Sequence, residues 1–439
     1  MGQGTKRRPW HRKLIFNVLM LLGTWASIEA LAFVAMQMVL GSPGQLAEQR
    51  RTAAAQDPFN PGRQFVAPAV IHPYIGAVMQ PKDDGGTLSI EGKYRVTEFG
   101  FVDTGPPIHQ RSPERLIVGI LGGSVARQFG QNATDVLALE LAKIPAFAGR
   151  KFTFVRLASN GYKQPQQLMT VNYLLTLGAE FDILINLDGV NEAALPKMDN
   201  VSVGVFSAYP RDWGKLIAGT ASPEFVRMAG YVAYLRKQER DDAVWFGSAP
   251  WKYLPTAILV WGMRKNRSDR SISDQLQAMS RFTEKEMTYC GSGPPEHFES
   301  DKAIYQHSTE LWCRSSILLH QLCAARGIRY FHFLQPNQYV PDSKPIGREE
   351  AAEAIKEGSP MCLAIRACFP LMQAQAARLA EAGVEFNDLT QVFGDHPEPI
   401  YNDACCHLEV SGDLIMAKAI ASRIERSISD NSAPIPLSH

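Results

Sequence analysis

The stretch Leu116-Ile117-Val118-Gly119-Ile120-Leu121-Gly122-Gly123-Ser124 decides how the rest of the chain is read. Six uncharged residues running straight into two glycines fit a short strand buried on both faces of a parallel sheet. The glycines let the backbone turn sharply at the strand's end and come close to a bound group. Asp135–Ile144 follows with helical spacing, and Asn132 or Thr134 is a candidate cap. The alternation then repeats. Phe152–Leu157 reads as a second strand, and Pro165 suits the first turn of a helix that runs to Leu177 and ends at Gly178. Phe181–Leu187 reads as a third strand, Arg329–Leu334 as a fourth and Val384–Phe386 as a short fifth. Gly412–Ile428 closes the pattern as an amphipathic helix. Alternation of this kind predicts an α/β fold of three layers, a parallel sheet covered by helices on both faces.

Upstream of this region lies a membrane signal. Of the 27 residues from 14 to 40, 21 are apolar, enough to cross a hydrocarbon core about 30 Å thick. Glu29 interrupts the run at a cost of roughly 2.5–3.5 kcal/mol. The Leu, Ile, Val and Phe residues of the span return about 0.3–0.6 kcal/mol each, so insertion wins. Lys6, Arg7, Arg8, Arg12 and Lys13 precede it, which predicts a cytoplasmic segment 1–13, a single-pass inner-membrane helix 14–40 and an extracytoplasmic remainder. A cleaved signal peptide ending at Ala30-Leu31-Ala32 and a buried core helix are the competing readings. An intramembrane Glu29 hints at a partner helix or a membrane protein partner.

Lys and Arg total 45 against 44 Asp and Glu. That near-neutral balance argues against a nucleic-acid partner, which clustered basic residues normally announce. Residues 41–65 read as a tether and 66–114 as an irregular approach, giving a main domain over 115–428 and a disordered tail over 429–439. Between about 197 and 302 the pattern loosens into an insertion holding Trp213, Trp245, Trp251 and Trp261. Its apolar run Leu254–Met263 is too short to span a bilayer. The insertion either packs on the core, caps the site or touches the membrane. All seven cysteines lie beyond residue 289. In an oxidising compartment some should pair, with Cys405 and Cys406 stapling their loop and at least one thiol left over. Metal-ligand spacing is missing, so no metal is expected.

In an open parallel sheet, ligands bind beyond the carboxyl ends of the strands. The first three strands end in Gly122-Gly123-Ser124, Ser159-Asn160-Gly161 and Asp188-Gly189-Val190-Asn191-Glu192. Each alone is an ordinary turn; the ordered set is more informative. Ser124 would begin the first helix, with its hydroxyl at the positive helix end. A serine hydroxyl is a weak nucleophile until a neighbouring base takes its proton. His407 in Asp403-Ala404-Cys405-Cys406-His407 is the candidate base. His396 in Asp395-His396-Pro397 is a rival, His332 reads as a core histidine, and Asp188 reads as a loop support.

In these residues the chain resembles the SGNH hydrolases of the GDSL-type esterases and lipases, over about 115–428. Gly122-Gly123-Ser124 is similar to the family's first block, Gly161 to the second, Asn191 to the third and Asp403–His407 to the last. The resemblance implies a flavodoxin-like parallel sheet and no cofactor. It assigns catalysis to Ser124, His407 and Asp403, and an oxyanion hole to the Ser124 and Gly161 N–H groups with the Asn191 side chain. Two positions depart from the family pattern. Glu192 stands where an Asp usually follows the Asn, and Asp403 lies four rather than three residues before the His, where Ala404 stands. A Ser–His dyad with a backbone carbonyl behind His407 is the fallback. The expectation is an extracytoplasmic ester hydrolase or O-acyltransferase, acting on acylated envelope or secreted carbohydrate. The alternative is a catalytically weak glycan-binding or scaffold protein of a membrane complex.

Overall fold

A computed structural model describes residues 10–55, 69–81, 93–217, 223–280 and 289–430. The chain divides into two compact units, residues 1–65 with 218–282, and residues 66–217 with 283–439.

The second unit is built on five parallel strands: β5 (Arg115–Gly122), β6 (Lys151–Arg156), β7 (Ile183–Asp188), β8 (Arg329–Leu334) and β9 (Glu385–Asp388), ordered β6-β5-β7-β8-β9. Every residue of β7 is buried. Successive side chains point to opposite faces, so both faces of the sheet are covered. One helix group comprises α3 (Ser124–Asn132), α4 (Thr134–Leu141) and the closing α11 (Val410–Asp430). The other comprises α5 (Gln166–Thr176), α6 (Val190–Leu195), α9 (Asp301–Ala324) and α10 (Pro360–Ala374). The strands' Leu, Ile, Val and Phe side chains form one core with Phe129, Trp312 and Phe369 from these helices.

The expected cap of α4 is different in kind. Ala133 is its N-cap and neither neighbour caps it by side chain. The Asn132 amide instead donates to Asp413 (2.8 Å), and Thr134 Oγ1 accepts from buried Arg156 (2.7 Å). Arg156 also pairs with Asp103, so Thr134 belongs to a buried charge network. The approach segment holds two short hairpins, β1 (Ala69–His72) with β2 (Gly76–Met79) and β3 (Arg95–Val96) with β4 (Val102–Asp103).

The first unit contains α1 (Trp10–Val39), α2 (Pro43–Ala55), α7 (Pro223–Gly247) and α8 (Pro255–Ser280). The expected tether is therefore helical over α2; its remainder from residue 56, like the basic residues 6–8 and the tail beyond 430, lies outside the described residues. Leu46 and Ala53 of α2 are buried, which gives that polar segment a reason to fold. Residues 218–282 of the insertion form one compact unit with the N-terminal helices, while its flanks at 197–217 and 283–302 belong with the sheet. α1 is long and apolar enough to cross a membrane. The partner of Glu29 is internal: its carboxylate accepts from the Thr256 N–H (3.0 Å) and hydroxyl (2.7 Å) at the start of α8. An N-terminal helix turn offers unpaired donors and positive potential, which suits a carboxylate. No disulfide forms among the described residues, where the seven cysteines are all thiols. The Cys405 and Cys406 sulfurs lie 2.9 Å apart without the expected staple.

Candidate active site

The carboxyl ends of β5, β6 and β7 bring the first three sequence motifs together. Gly122 has φ +136°, and a Cβ there would lie 2.0 Å from the Leu187 carbonyl oxygen, so a side chain is excluded twice over. At Gly123 a Cβ would lie 2.2 Å from Asn191 Nδ2. Bare backbone is what lets the β7 end press against the turn that carries Ser124. Ser124 then opens α3.

Asn191 donates from Nδ2 to the Tyr162 carbonyl (2.7 Å), and an amide nitrogen carries a second hydrogen. Gly161 lies between two anchored neighbours. Asn160 Oδ1 accepts from Arg127 of α3 (3.1 Å), and Tyr162 holds Asn191. Glu192 answers why a longer acid follows Asn191. From inside the fold its carboxylate reaches back to the Gly189 N–H (2.9 Å) and across to the Gln164 N–H (3.0 Å) and the Gln167 amide (2.9 Å). It thus ties the start of α6 to the start of α5. Burial and neighbouring Asp188 push its carboxyl up to about 8.

Asp188 supports this end of the sheet from below. It accepts from Trp312 Nε1 (2.7 Å), the Asn186 amide (2.7 Å) and His332 Nε2 (2.9 Å), while Ser316 meets His332 Nδ1 (2.7 Å). Burial opposes the Asp188 charge, but His332 and these donors outweigh it and keep the carboxyl low. His332 is fully buried, a core histidine as expected.

The last motif arrives from a loop. His407 Nε2 lies 2.8 Å from Ser124 Oγ, and His407 Nδ1 lies 2.5 Å from Asp403 Oδ2. The extra residue between Asp403 and His407 is absorbed by a tight turn. Asp403 Oδ1 accepts from the N–H groups of Cys405, Cys406 and His407, at 2.9, 2.9 and 3.1 Å. Burial opposes the charge on Asp403, yet the hydrogen bonds from His407 and the Cys406 and His407 N–H groups hold the carboxyl far below its usual range. The Asp403 hydrogen bond in turn raises the His407 imidazole, against the effect of its partial burial.

The residues that fix this loop escape sequence reasoning. Three consecutive side chains after β8 each hold one of its carbonyls. Gln338 Nε2 donates to Asp403 O (2.9 Å), Tyr339 OH to Ala404 O (2.8 Å) and Asn337 Nδ2 to Cys405 O (2.9 Å). Behind them the Glu350 carboxylate, paired with buried Lys344, accepts from the Ile400 and Tyr401 N–H groups. Their only signal in the sequence is a polar Asn-Gln-Tyr run directly beyond a buried strand. The rival base His396 is bonded to exposed Glu398 (2.9 Å).

Cys405, Cys406 and His407 place three potential metal-ligand atoms within 4.8 Å of one another. Both ring nitrogens of His407 already face Ser124 and Asp403, so a cation held there would have to take one of those partners' places. The arrangement provides a hydroxyl, a base able to take its proton, and a carboxylate behind the base. Compared with known proteins, the chain matches no family model and no curated protein.

Proposed function

We propose that the chain is a serine ester hydrolase or O-acyltransferase working through Ser124, His407 and Asp403. The observation that carries this reading is the unbroken hydrogen-bond chain from Ser124 Oγ through both ring nitrogens of His407 to Asp403. It lies at the carboxyl ends of a parallel sheet, where ligands bind in such folds. The strand order, written from the first core strand, is 2-1-3-4-5, the flavodoxin-like order. That order supports the resemblance to SGNH hydrolases.

In this mechanism His407 takes the Ser124 proton as the oxygen attacks an ester carbonyl. Asp403 fixes the tautomer and stabilises the imidazolium that forms. Negative charge on the carbonyl oxygen is met by the Ser124 and Gly161 N–H groups and the second Asn191 hydrogen. Donors placed in advance at such a site are worth about 10²- to 10³-fold each. His407 then returns the proton to the departing alcohol, leaving Ser124 acylated. Water or a sugar hydroxyl, deprotonated by His407, releases the acyl group. No metal or cofactor enters these steps.

With α1 as a single-pass anchor and basic residues before it, the site faces away from the cytoplasm, and acylated envelope or secreted carbohydrate is the substrate class. Three features leave room for a scaffold instead: the displaced Asp, the charged span and the Trp-rich insertion. Asp403 engages His407 and Glu29 engages Thr256, so two of these three features have another account. The test is turnover of p-nitrophenyl acetate by the full chain and its Ser124→Ala variant. Turnover lost in the variant supports the reading, and turnover that survives it unchanged overturns it.

A further inference from the structure

Between Asp242 and Arg264, 21 consecutive residues carry one charge, Lys252. They form the end of α7, the connecting turn and the start of α8. Asp242 and Arg264 face each other across this boundary, with Arg264 Nε 2.8 Å from the carboxylate. On one side of that ion pair both helices are rich in charge, from Arg236 to Asp242 and from Arg264 to Arg270. On the other side Val244, Trp245, Tyr253, Val260 and Met263 are exposed. Such an apolar tip needs a partner.

Its register against α1 says which. Thr256 meets Glu29, and Gly262 meets Leu40 so closely that a Cβ there would touch the Leu40 side chain. α8 therefore starts beside the middle of α1 and runs parallel to it. Trp261 and Ala257 pack with Met36, Leu46 and Phe246. At 1.5 Å per residue, residues 14–40 measure about 40 Å, the thickness of a bilayer with its headgroups. Glu29 lies about 16 Å inside the Leu40 end, so a membrane-spanning α1 carries the start of α8 to the depth of the acyl chains.

Most of the turn's backbone donors are paired internally, as a medium without water favours, with the Ala249 and Trp251 N–H groups outside this pairing. Pro250 and Pro255 carry no N–H. The N–H groups of Ser248, Lys252, Tyr253 and Leu254 go to Trp245, Ser248, Pro250 and Trp251 carbonyls, the Ser248 hydroxyl goes to Trp245, and the Thr256 N–H goes to Glu29. Trp245 stacks on Trp251, and Lys252, the one charge of the stretch, lies over the Tyr253 ring.

We propose that this turn is a re-entrant membrane element. It lies among the acyl chains of the leaflet through which α1 emerges toward the sheet domain, and Glu29 fastens it there. This rests on α1 as a membrane span and is independent of the esterase reading. The test uses the full chain reconstituted in phosphatidylcholine–phosphatidylglycerol vesicles with brominated or ordinary acyl chains. Brominated chains should quench Trp25, seen as a difference between wild type and Trp25→Phe. The quenching that remains in Trp25→Phe should fall further when Trp245→Phe and Trp251→Phe are added, leaving the share of Trp10 and Trp261. Independently, Ser248→Cys should resist a membrane-impermeant maleimide that readily labels Asn266→Cys, as peptide mapping reads it. Quenching that is undiminished by loss of Trp245 and Trp251, or labelling of Ser248→Cys as fast as Asn266→Cys, places the turn in water and overturns the proposal. Protection without quenching means another protein or a second copy covers the turn, and overturns it too. Unquenched Trp25 removes α1 from the bilayer, and the proposal falls with the anchor while ester turnover is untouched.

Discussion

The two halves of the candidate site are held in opposite ways. Ser124, Gly161 and Asn191 sit at the ends of three adjoining strands, and their positions follow from ladder register and from glycines at which a side chain would collide. Asp403 and His407 lie on a loop between β9 and α11, with no strand beneath them. That loop is shaped from inside by the Asp403 carboxylate and from outside by Asn337, Gln338 and Tyr339. Backbone positions Ser124 and side chains position His407. Substitutions on the loop should therefore damage the base's alignment while leaving the sheet intact.

The largest effect sought by breaking this comparison comes from Asp403→Asn. The amide still accepts the three turn N–H groups but no longer favours the tautomer with Nδ1 protonated, so kcat for ester turnover should fall by roughly 10⁴-fold. An unchanged melting transition would separate tautomer from turn. On the strand side, Asn191→Ala removes one proposed oxyanion donor and should lower kcat by about 10²- to 10³-fold with little change in KM. Steady-state kinetics on p-nitrophenyl acetate checks both. A residue that only packed the β7 end would give a stability loss without that kcat deficit.

Tyr339→Phe takes one hydrogen bond from the loop and the acceptor of the Lys356 N–H, and should cost roughly 1–3 kcal/mol of stability, measured by denaturant unfolding. It should also lower kcat more than Glu357→Ala, which removes an exposed ion pair with Arg366 and should be near neutral. Equal effects from the two would mean the Asn337–Tyr339 clamp does not position the base.

The smallest effect is on pH dependence. As the proposed base, His407 acts only when neutral, and its Asp403 bond raises its pKa, so activity should fall with acidification about a midpoint above that of a free imidazole. In Asp403→Asn the residual activity should show that limb moved to lower pH. Asp413, pushed up to about 7 by burial, interacts with His407 from α11, so Asp413→Asn should simplify the limb toward a single titration. A limb unmoved by Asp403→Asn would assign it to another group.

The same division explains what was legible in the sequence. Strands β5 and β7 announce themselves as apolar runs because burial on both faces leaves little room for anything else, and these two and β6 lead into small residues. The ends of those strands carry Ser124, Gly161 and Asn191 in plain sight. The geometry behind His407 depends on an Asx-like turn and on Asn337, Gln338 and Tyr339, which are more than sixty residues away. No local periodicity records such contacts. α2 has the polar composition of a tether, and only its buried Leu46 and Ala53 distinguish it from a linker. Residues 218–282 have the sequence of a loosened insertion because their partners are α1 and α2, at the far end of the chain.

The most direct measurement is labelling of the full chain with a fluorophosphonate probe, mapped by peptide mass spectrometry, in wild type and His407→Ala. A strand-held nucleophile activated by a loop-held base predicts a single adduct on Ser124 that is lost in His407→Ala. Wild type left unlabelled at Ser124, or labelled there equally with and without His407, would contradict the account.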